Sequence, residues 1–194
     1  MTSFKVADHV FGLGNPHASK PRYYGCRKPR KVPTGFTFDD VVIFPVNTIT
    51  SFAALFHPKG FGFPALVANR QIKPDWLATK TILVVGGGLN AGKLAIQLAK
   101  LAGIERIVTI APAGNSLTLQ KFSATHVIDR HEIPETIAEG VKRIVGPEGV
   151  VYLYDCMSSE DSFSISLVSN DKANYALDIP SLRISTGTCQ GIGT

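Results

Sequence analysis

Seven consecutive residues, Gly86–Gly92 (GGGLNAG), have the types and spacing to bind an anion. Without Cβ atoms, a glycine run lets main-chain N–H groups approach a ligand closely, and a helix that follows adds the positive end of its dipole. Two chemistries fit. Gly86-x-Gly88-x-x-Ala91 satisfies the dinucleotide pattern GxGxxG/A, with Gly92 as a further small residue where helix meets sheet. Gly87-x-x-x-x-Gly92-Lys93 also spells most of a Walker A loop, and VVYLYD at 150–155 passes for a Walker B strand. A Walker loop places Ser or Thr after the lysine to hold magnesium. Leu94 stands there and has no oxygen to give. The dinucleotide reading therefore leads, with Gly86, Gly87, Gly88, Asn90, Ala91 and Gly92 as its pyrophosphate candidates. A P-loop nucleotide binder and a purely structural glycine turn remain the alternatives.

Such a turn needs a strand before it and a helix after it. Ile82–Val85 is a short apolar, β-branched run suited to a strand buried on both faces. Leu94, Leu98 and Leu101 then recur at helical spacing, and Gly103 supplies a stop. The alternation continues downstream. RIVTIA at 106–111 reads as a strand, Pro112–Asn115 as a turn, Ser116–Phe122 as a short helix and Thr125–Asp129 as a third strand. Pro134–Val145 suits a helix ended by Gly146-Pro147, and Val150–Tyr154 suits a fourth strand. Strands separated by helices imply parallel pairing through right-handed crossovers, hence an α/β fold with a doubly wound parallel Rossmann sheet.

The end of the second strand bears on the choice of dinucleotide. An acid there, about 20 residues past the glycines, bonds the ribose 2′-hydroxyl of NAD. This chain has Ala111 and Pro112 instead, with Asn115, Ser116 and Lys121 nearby as donors and positive charge. NADP(H) is favoured, NAD(H) stays open, and Lys121 reads equally well as an exposed helix lysine. Asp155 and Cys156 end the fourth strand at the carboxyl edge, where open α/β sheets bind ligands. Asp155 also reads as a cap for the next segment, and Cys156 as a small buried filler.

The remainder of the composition narrows the alternatives. With 194 residues, 44% hydrophobic and 18% charged, the chain has an ordinary soluble composition. The net charge of +5 is concentrated at Lys20, Arg22, Arg27, Lys28, Arg30 and Lys31. Without aromatic interleaving, this run reads as a solvated, mobile loop and makes a nucleic-acid partner the weaker reading. Cys26, Cys156 and Cys189 are far apart, and the five histidines form no HExxH pair, so neither disulfides nor a metal site is expected. The amino terminus lacks a signal-like apolar run and no segment approaches the length of a membrane span, which makes a cytoplasmic location the default expectation.

Together, ILVVGGGLNAGKLAIQLAKLAG, VTIAPAGN, LQKFSATHVIDR and VYLYDC resemble the cofactor half of the medium-chain dehydrogenase/reductase superfamily. The branch is the zinc-independent quinone-reductase-like and trans-acting enoyl-reductase-like group. Upstream, FKVADHVFGLG resembles a strand of the family's GroES-like barrel, and VPTGFTFDDVVIFPVNTITSFAALF its linker helix. The resemblance implies a remnant of the GroES-like domain over 1–35, a linker helix region over 36–80 and a Rossmann domain over 81–194. It also implies hydride transfer from the nicotinamide to an enone, enoyl thioester or quinone, without zinc. Thr50 in the linker helix is the matching catalytic hydroxyl, with Thr48 a second and a bond back to its own helix the plainer role for Thr50. Asp155 and Cys156 would lie against the nicotinamide ribose.

Departures from the family accompany the matches. Ser123 stands where the family has glycine, and after about Ser169 the likeness fades, taking with it the strand through which many members dimerise. The chain reads as a shortened member whose sheet ends near a fifth strand, marginal as a monomer, with an oligomer open. A catalytically silent dinucleotide binder is the alternative to an active reductase. Tyr24-x-x-x-Lys28 imitates the pair of short-chain reductases, but upstream of the glycines, and is a coincidence.

Overall fold

The computed structural model describes residues 10–13, 27–64, 74–157, 163–168, 174–179 and 183–188. Tyr24, Cys26, Cys189, His9, His17, Lys20 and Arg22 lie outside them. The chain divides into two compact units, Met1–Ile49 and Thr50–Thr194.

In the first unit, strands β1 (Val10–Leu13) and β2 (Arg27–Lys31) pair antiparallel, Val10 opposite Lys31, with an irregularity between Phe11 and Leu13. Part of the basic run is therefore a strand and not the expected loop. A two-stranded ribbon leaves β2 an outer edge, where Pro29 and charged residues are tolerated. Helix α1 (Phe38–Val42) starts at a capping box: Asp40 N–H donates to the Thr37 hydroxyl, and Thr37 N–H donates to the Asp40 carboxylate.

Helix α2 (Phe44–Phe56) follows at once. The run Phe38–Phe56 has 19 residues and a mean hydropathy of 1.3, enough by length and composition to cross a membrane. This corrects the expectation that no segment approaches such a length. Within this run the carboxyl-terminal half of α2 buries Ala54, Leu55 and Phe56 in an aliphatic and aromatic core, whereas Phe38, Val42, Phe44, Val46, Ile49 and Phe52 are exposed.

The second unit is a six-stranded sheet. After the short helix α3 (Asp75–Ala78) come β3 (Thr81–Val85), α4 (Asn90–Ala102), β4 (Arg106–Ala111), α5 (Ser116–Lys121) and β5 (His126–Asp129). Helix α6 (Pro134–Val145), β6 (Tyr152–Asp155), α7 (Phe163–Ser166), β7 (Asn174–Ile179) and β8 (Arg183–Thr188) complete it. The order is β5-β4-β3-β6-β7-β8, all parallel except β8, which runs antiparallel to β7. The sheet thus continues past the expected fifth-strand limit. Residues 174–188 carry few of the long apolar side chains that mark β3 and β4, and their register is set by main-chain pairing, Asn174 with Thr188 through Ile179 with Arg183.

Strand alternation sorts the core onto two faces. Ile82 and Val84 pack with Ala95, Ile96 and Ala99 of α4, whereas Leu83 and Val85 pack with Ile137, Val141 and Val145 of α6. All five residues of β3 are buried, as expected of a central parallel strand. Phe61 and Phe63 pack on Tyr152, the latter edge-to-face at 4.8 Å, and burial pushes the Tyr152 phenol pKa up.

Candidate functional site

Strand β3 is flanked by β4 on one side and β6 on the other, so consecutive connections leave it in opposite directions. The carboxyl ends of β3 and β6 therefore frame the crevice where open α/β sheets receive ligands. Val85 lies opposite Asp155 in that register, and Cys156 N–H donates to the Val85 carbonyl at 3.0 Å. The glycine turn begins at this point.

Its glycines have different tasks. Gly86 has φ +81°, in the left-handed region, and a Cβ there would meet Met157 Cγ at 2.8 Å. A side chain at Gly87 would overlap the Thr109 hydroxyl, and one at Gly92 would run into the Gly86 carbonyl. At Gly88 the nearest atom is Asn115 Nδ2, 2.7 Å from where a Cβ would stand. The N–H groups of Gly86 and Gly87 both donate to the Ile110 carbonyl, at 3.0 and 3.3 Å. These two residues thus shape the turn and tie it to β4, and their amides face inward.

The uncapped donors come next. Helix α4 opens after Leu89, whose side chain cannot cap, so the amides of Asn90, Ala91 and Gly92 begin a 13-residue helix without a side-chain partner. Three uncapped donors, the positive end of a long helix and a glycine cradle fit a pyrophosphate. Leu89 and Met157 are exposed apolar side chains beside Gly86. Ala91 is buried, and its carbonyl accepts from the buried Ser51 hydroxyl at 2.9 Å. That bond fixes α2 to the first turn of α4. Thr50, the neighbouring residue in α2, is half-buried.

At the end of β4, Ala111 is buried and Pro112 leads into one 3₁₀ turn, Ala113–Asn115. Asn115 comes to the glycines, over Gly88. The Ser116 hydroxyl is engaged by its own turn, donating to the Ala113 carbonyl at 2.7 Å. Lys121 is not brought to the glycines. It ends α5 just before the turn whose Thr125 N–H bonds the Ile107 carbonyl, at the amino end of β4.

Asp155 is fully buried. Its Oδ1 accepts from Met157 N–H at 2.7 Å, and its Oδ2 has no hydrogen-bond partner among the described residues. Cys156 is buried beside Gly86. Among the described residues, no three His, Cys, Asp or Glu side chains gather as metal ligands would.

Several contributors carry little local signal in the sequence. Thr109 sits in an apolar strand, and its hydroxyl matters only because Gly87 lies opposite. Asp129, at the end of β5, accepts from Ala113 N–H at 3.3 Å and His131 N–H at 3.2 Å, with His131 Nδ1 at 3.0 Å. The His131 main-chain bond is the largest cause holding the Asp129 carboxyl below its ordinary pKa. An acid therefore reaches the loop after β4 from the neighbouring strand, a placement that the β4 sequence does not announce.

No protein-family model matches the chain. It is 32% identical to a trans-enoyl reductase of Pyrenochaetopsis over 135 residues, 70% of this chain and 34% of that protein. A trans-enoyl reductase of Aspergillus japonicus is 26% identical over 171 residues, 84% of this chain and 46% of the relative. The chain thus spans a third to a half of the length of these relatives. Among solved structures, an alcohol dehydrogenase superfamily protein of Novosphingobium aromaticivorans superposes with TM-score 0.59 at 22% identity, over 91% of this chain and 49% of its own. The CurK enoyl reductase gives 0.58 at 19%, over 77% and 40%. A mycobacterial protein solved with NADPH gives 0.57 at 22%, over 77% and 41%. Over the matched residues, the chain is related to trans-enoyl reductases, and its fold is that of these dehydrogenase and enoyl-reductase structures.

Proposed function

We propose that this chain binds a nicotinamide dinucleotide, NADP(H) in preference to NAD(H), and serves zinc-independent reduction of an activated double bond or carbonyl. The observation that carries the reading is the turn at the β3–β6 switch point. Gly87 and Gly92 make close approaches there that no other residue type allows, and α4 opens with three uncapped amides. The mycobacterial neighbour solved with NADPH and the trans-enoyl reductase relatives agree with it. The pair β1–β2 is read as a remnant of the relatives' GroES-like barrel.

When bound, the nicotinamide supplies the hydride. The protein's share is placement. Asn90, Ala91 and Gly92 hold the diphosphate through main-chain donors, Asn115 borders it over Gly88, and Leu89 and Met157 exclude water beside Gly86. Asp155 and Cys156 lie at the nicotinamide end of the crevice, with Asp155 Oδ2 an unmatched acceptor for a ribose hydroxyl. Thr50 is the substrate-side hydroxyl. The substrate class is an enone, an enoyl thioester or a quinone.

A second reading, dinucleotide binding without turnover, is favoured by one observation. The Ser51 hydroxyl, next to Thr50 in α2, and the Thr109 hydroxyl are both buried and engaged by main-chain carbonyls, structural roles that need no turnover. Following NADPH oxidation against a panel of enones, enoyl thioesters and quinones separates the two. Substrate-dependent oxidation supports the reductase. Saturable NADPH binding with no oxidation across the panel supports the silent binder.

A further inference from the structure

We propose that the first unit, Met1–Ile49, docks on an anionic phospholipid bilayer, laying the apolar face of α1 and the start of α2 into the headgroup region. Six apolar side chains of this unit are exposed: Phe36, Phe38, Val42, Phe44, Val46 and Ile49. Phe38 and Val42 stand four apart in α1, and Val46 and Ile49 three apart in α2, so each pair shares one face of its helix. Helix α2 carries no charged residue. In α1, at 3.6 residues per turn, Asp40 lies across the helix from Phe38 and Val42, and Asp39 about a quarter-turn to the side. The Asp40 carboxylate is also engaged, accepting from Thr37 N–H in the capping box.

The charge of the same unit selects the partner. Its sequence holds seven Lys and Arg against three Asp, so it carries +4 of the chain's net +5. Arg30 and Lys31 are exposed on β2, which pairs with β1, and β1 in turn contacts α1. Cations and apolar row thus belong to one small structure. An apolar face with basic residues beside it matches an anionic lipid surface: headgroup charge draws the cations, and the acyl boundary takes up the phenyl and aliphatic side chains. A second copy of the chain matches it less well, because a symmetric pairing through this face sets two cationic units against each other. Nor does the run Phe38–Phe56 fit a span across the bilayer. Asp39 and Asp40 stand in its first turn, and Ala54, Leu55 and Phe56 are committed to the protein core. The docking is therefore peripheral.

Flotation of the full chain with vesicles of phosphatidylcholine, with and without about 30% phosphatidylserine, tests this. The anionic vesicles should carry roughly tenfold more protein than the neutral ones, and raising the salt to ~0.5 M should remove most of that difference. The double variant Val42→Ser/Ile49→Ser, at positions 66% and 52% exposed, should weaken binding to anionic vesicles by roughly tenfold with an unchanged circular dichroism spectrum. Arg30→Gln should weaken it by about fivefold. If the double variant loses its fold, Arg30→Gln and the salt dependence of the wild type still decide. Equal binding to neutral and anionic vesicles, or binding to neither, overturns the proposal, and so does undiminished binding by both variants. A dimer in sedimentation that the double variant disperses, without flotation, overturns it in favour of a second copy. The dinucleotide reading stands apart from all of these outcomes.

Discussion

The Thr109 hydroxyl donates to the Val84 carbonyl at 2.8 Å and fills the space into which a side chain at residue 87 would project. One strand's hydroxyl thus dictates glycine on the turn leaving the next strand. Substituting Gly87→Ala should destabilise the protein by about 1–3 kcal/mol, the usual cost of overpacking. The loss should shrink in the Thr109→Ala background, where the obstructing hydroxyl is gone and only the Cβ contact remains. Urea unfolding of the two single variants and the double variant gives the coupling directly. A double variant whose cost equals the sum of the single costs, within ~0.5 kcal/mol, would rule out Thr109 as the obstruction.

Ser123 has φ +83°, a left-handed conformation that glycine adopts without strain. It follows α5, with Ser123 N–H bonded to Gln120 and Ala124 N–H to Leu119, an arrangement that closes the helix end. Ser123→Gly should raise stability by about 0.5–1 kcal/mol, after allowing for the greater freedom of glycine in the unfolded chain. Thermal denaturation would register this as an upward shift of a few degrees. An unchanged or lowered midpoint would mean that the strain is relieved elsewhere.

Thr50 follows from the reductase reading and lies one residue before the structural Ser51. Thr50→Val should lower turnover by roughly 10²-fold or more, the scale of a positioned proton donor, while the NADPH dissociation constant stays unchanged. Thr50→Ser should restore most of the rate. Loss of NADPH binding together with turnover would instead assign Thr50 a structural role.

The Asp129 carboxyl is held below its ordinary pKa, first by the His131 main-chain N–H, with further help from the His131 side chain and Ala113 N–H. A depressed folded-state pKa means that the associated stabilisation is present above the unfolded carboxyl value. It is lost as pH falls through the lower, folded value. An NMR titration should place the Asp129 midpoint below that of a model aspartate, with the Ala113 amide shifting at the same midpoint. Asp129→Asn should abolish that transition at Ala113. A midpoint at or above the model value would show that the staple does not form in solution.

The sheet's first four strands and the helices between them were legible because each is a local pattern: apolar runs of four to six residues, helical spacing of Leu94, Leu98 and Leu101, glycine at turns. Ser123 was legible as an irregularity before its φ explained it. Strand β8 was not, since RISTGT has no apolar run and owes its place to pairing with β7. The strand at Arg27–Lys31 hides in the same way behind its charge. At the site, the glycines could be read from spacing, but not their division of labour. That Gly86 and Gly87 direct their amides to Ile110, leaving Asn90–Gly92 as the uncapped donors, depends on a strand 24 residues further on. Lys121 ends α5 just before the turn at the amino end of β4, a placement that spacing in the sequence does not reveal.

The central claim is that uncapped amides at the start of α4 bind a dinucleotide diphosphate and need no divalent ion to do so. Calorimetric titration of the wild-type chain with NADPH in chelator-treated buffer tests it most directly. The account predicts saturable, one-site heat that magnesium does not enhance. Silence with NADPH and NADH, alongside a magnesium-dependent signal with ATP, would contradict it and reinstate the P-loop.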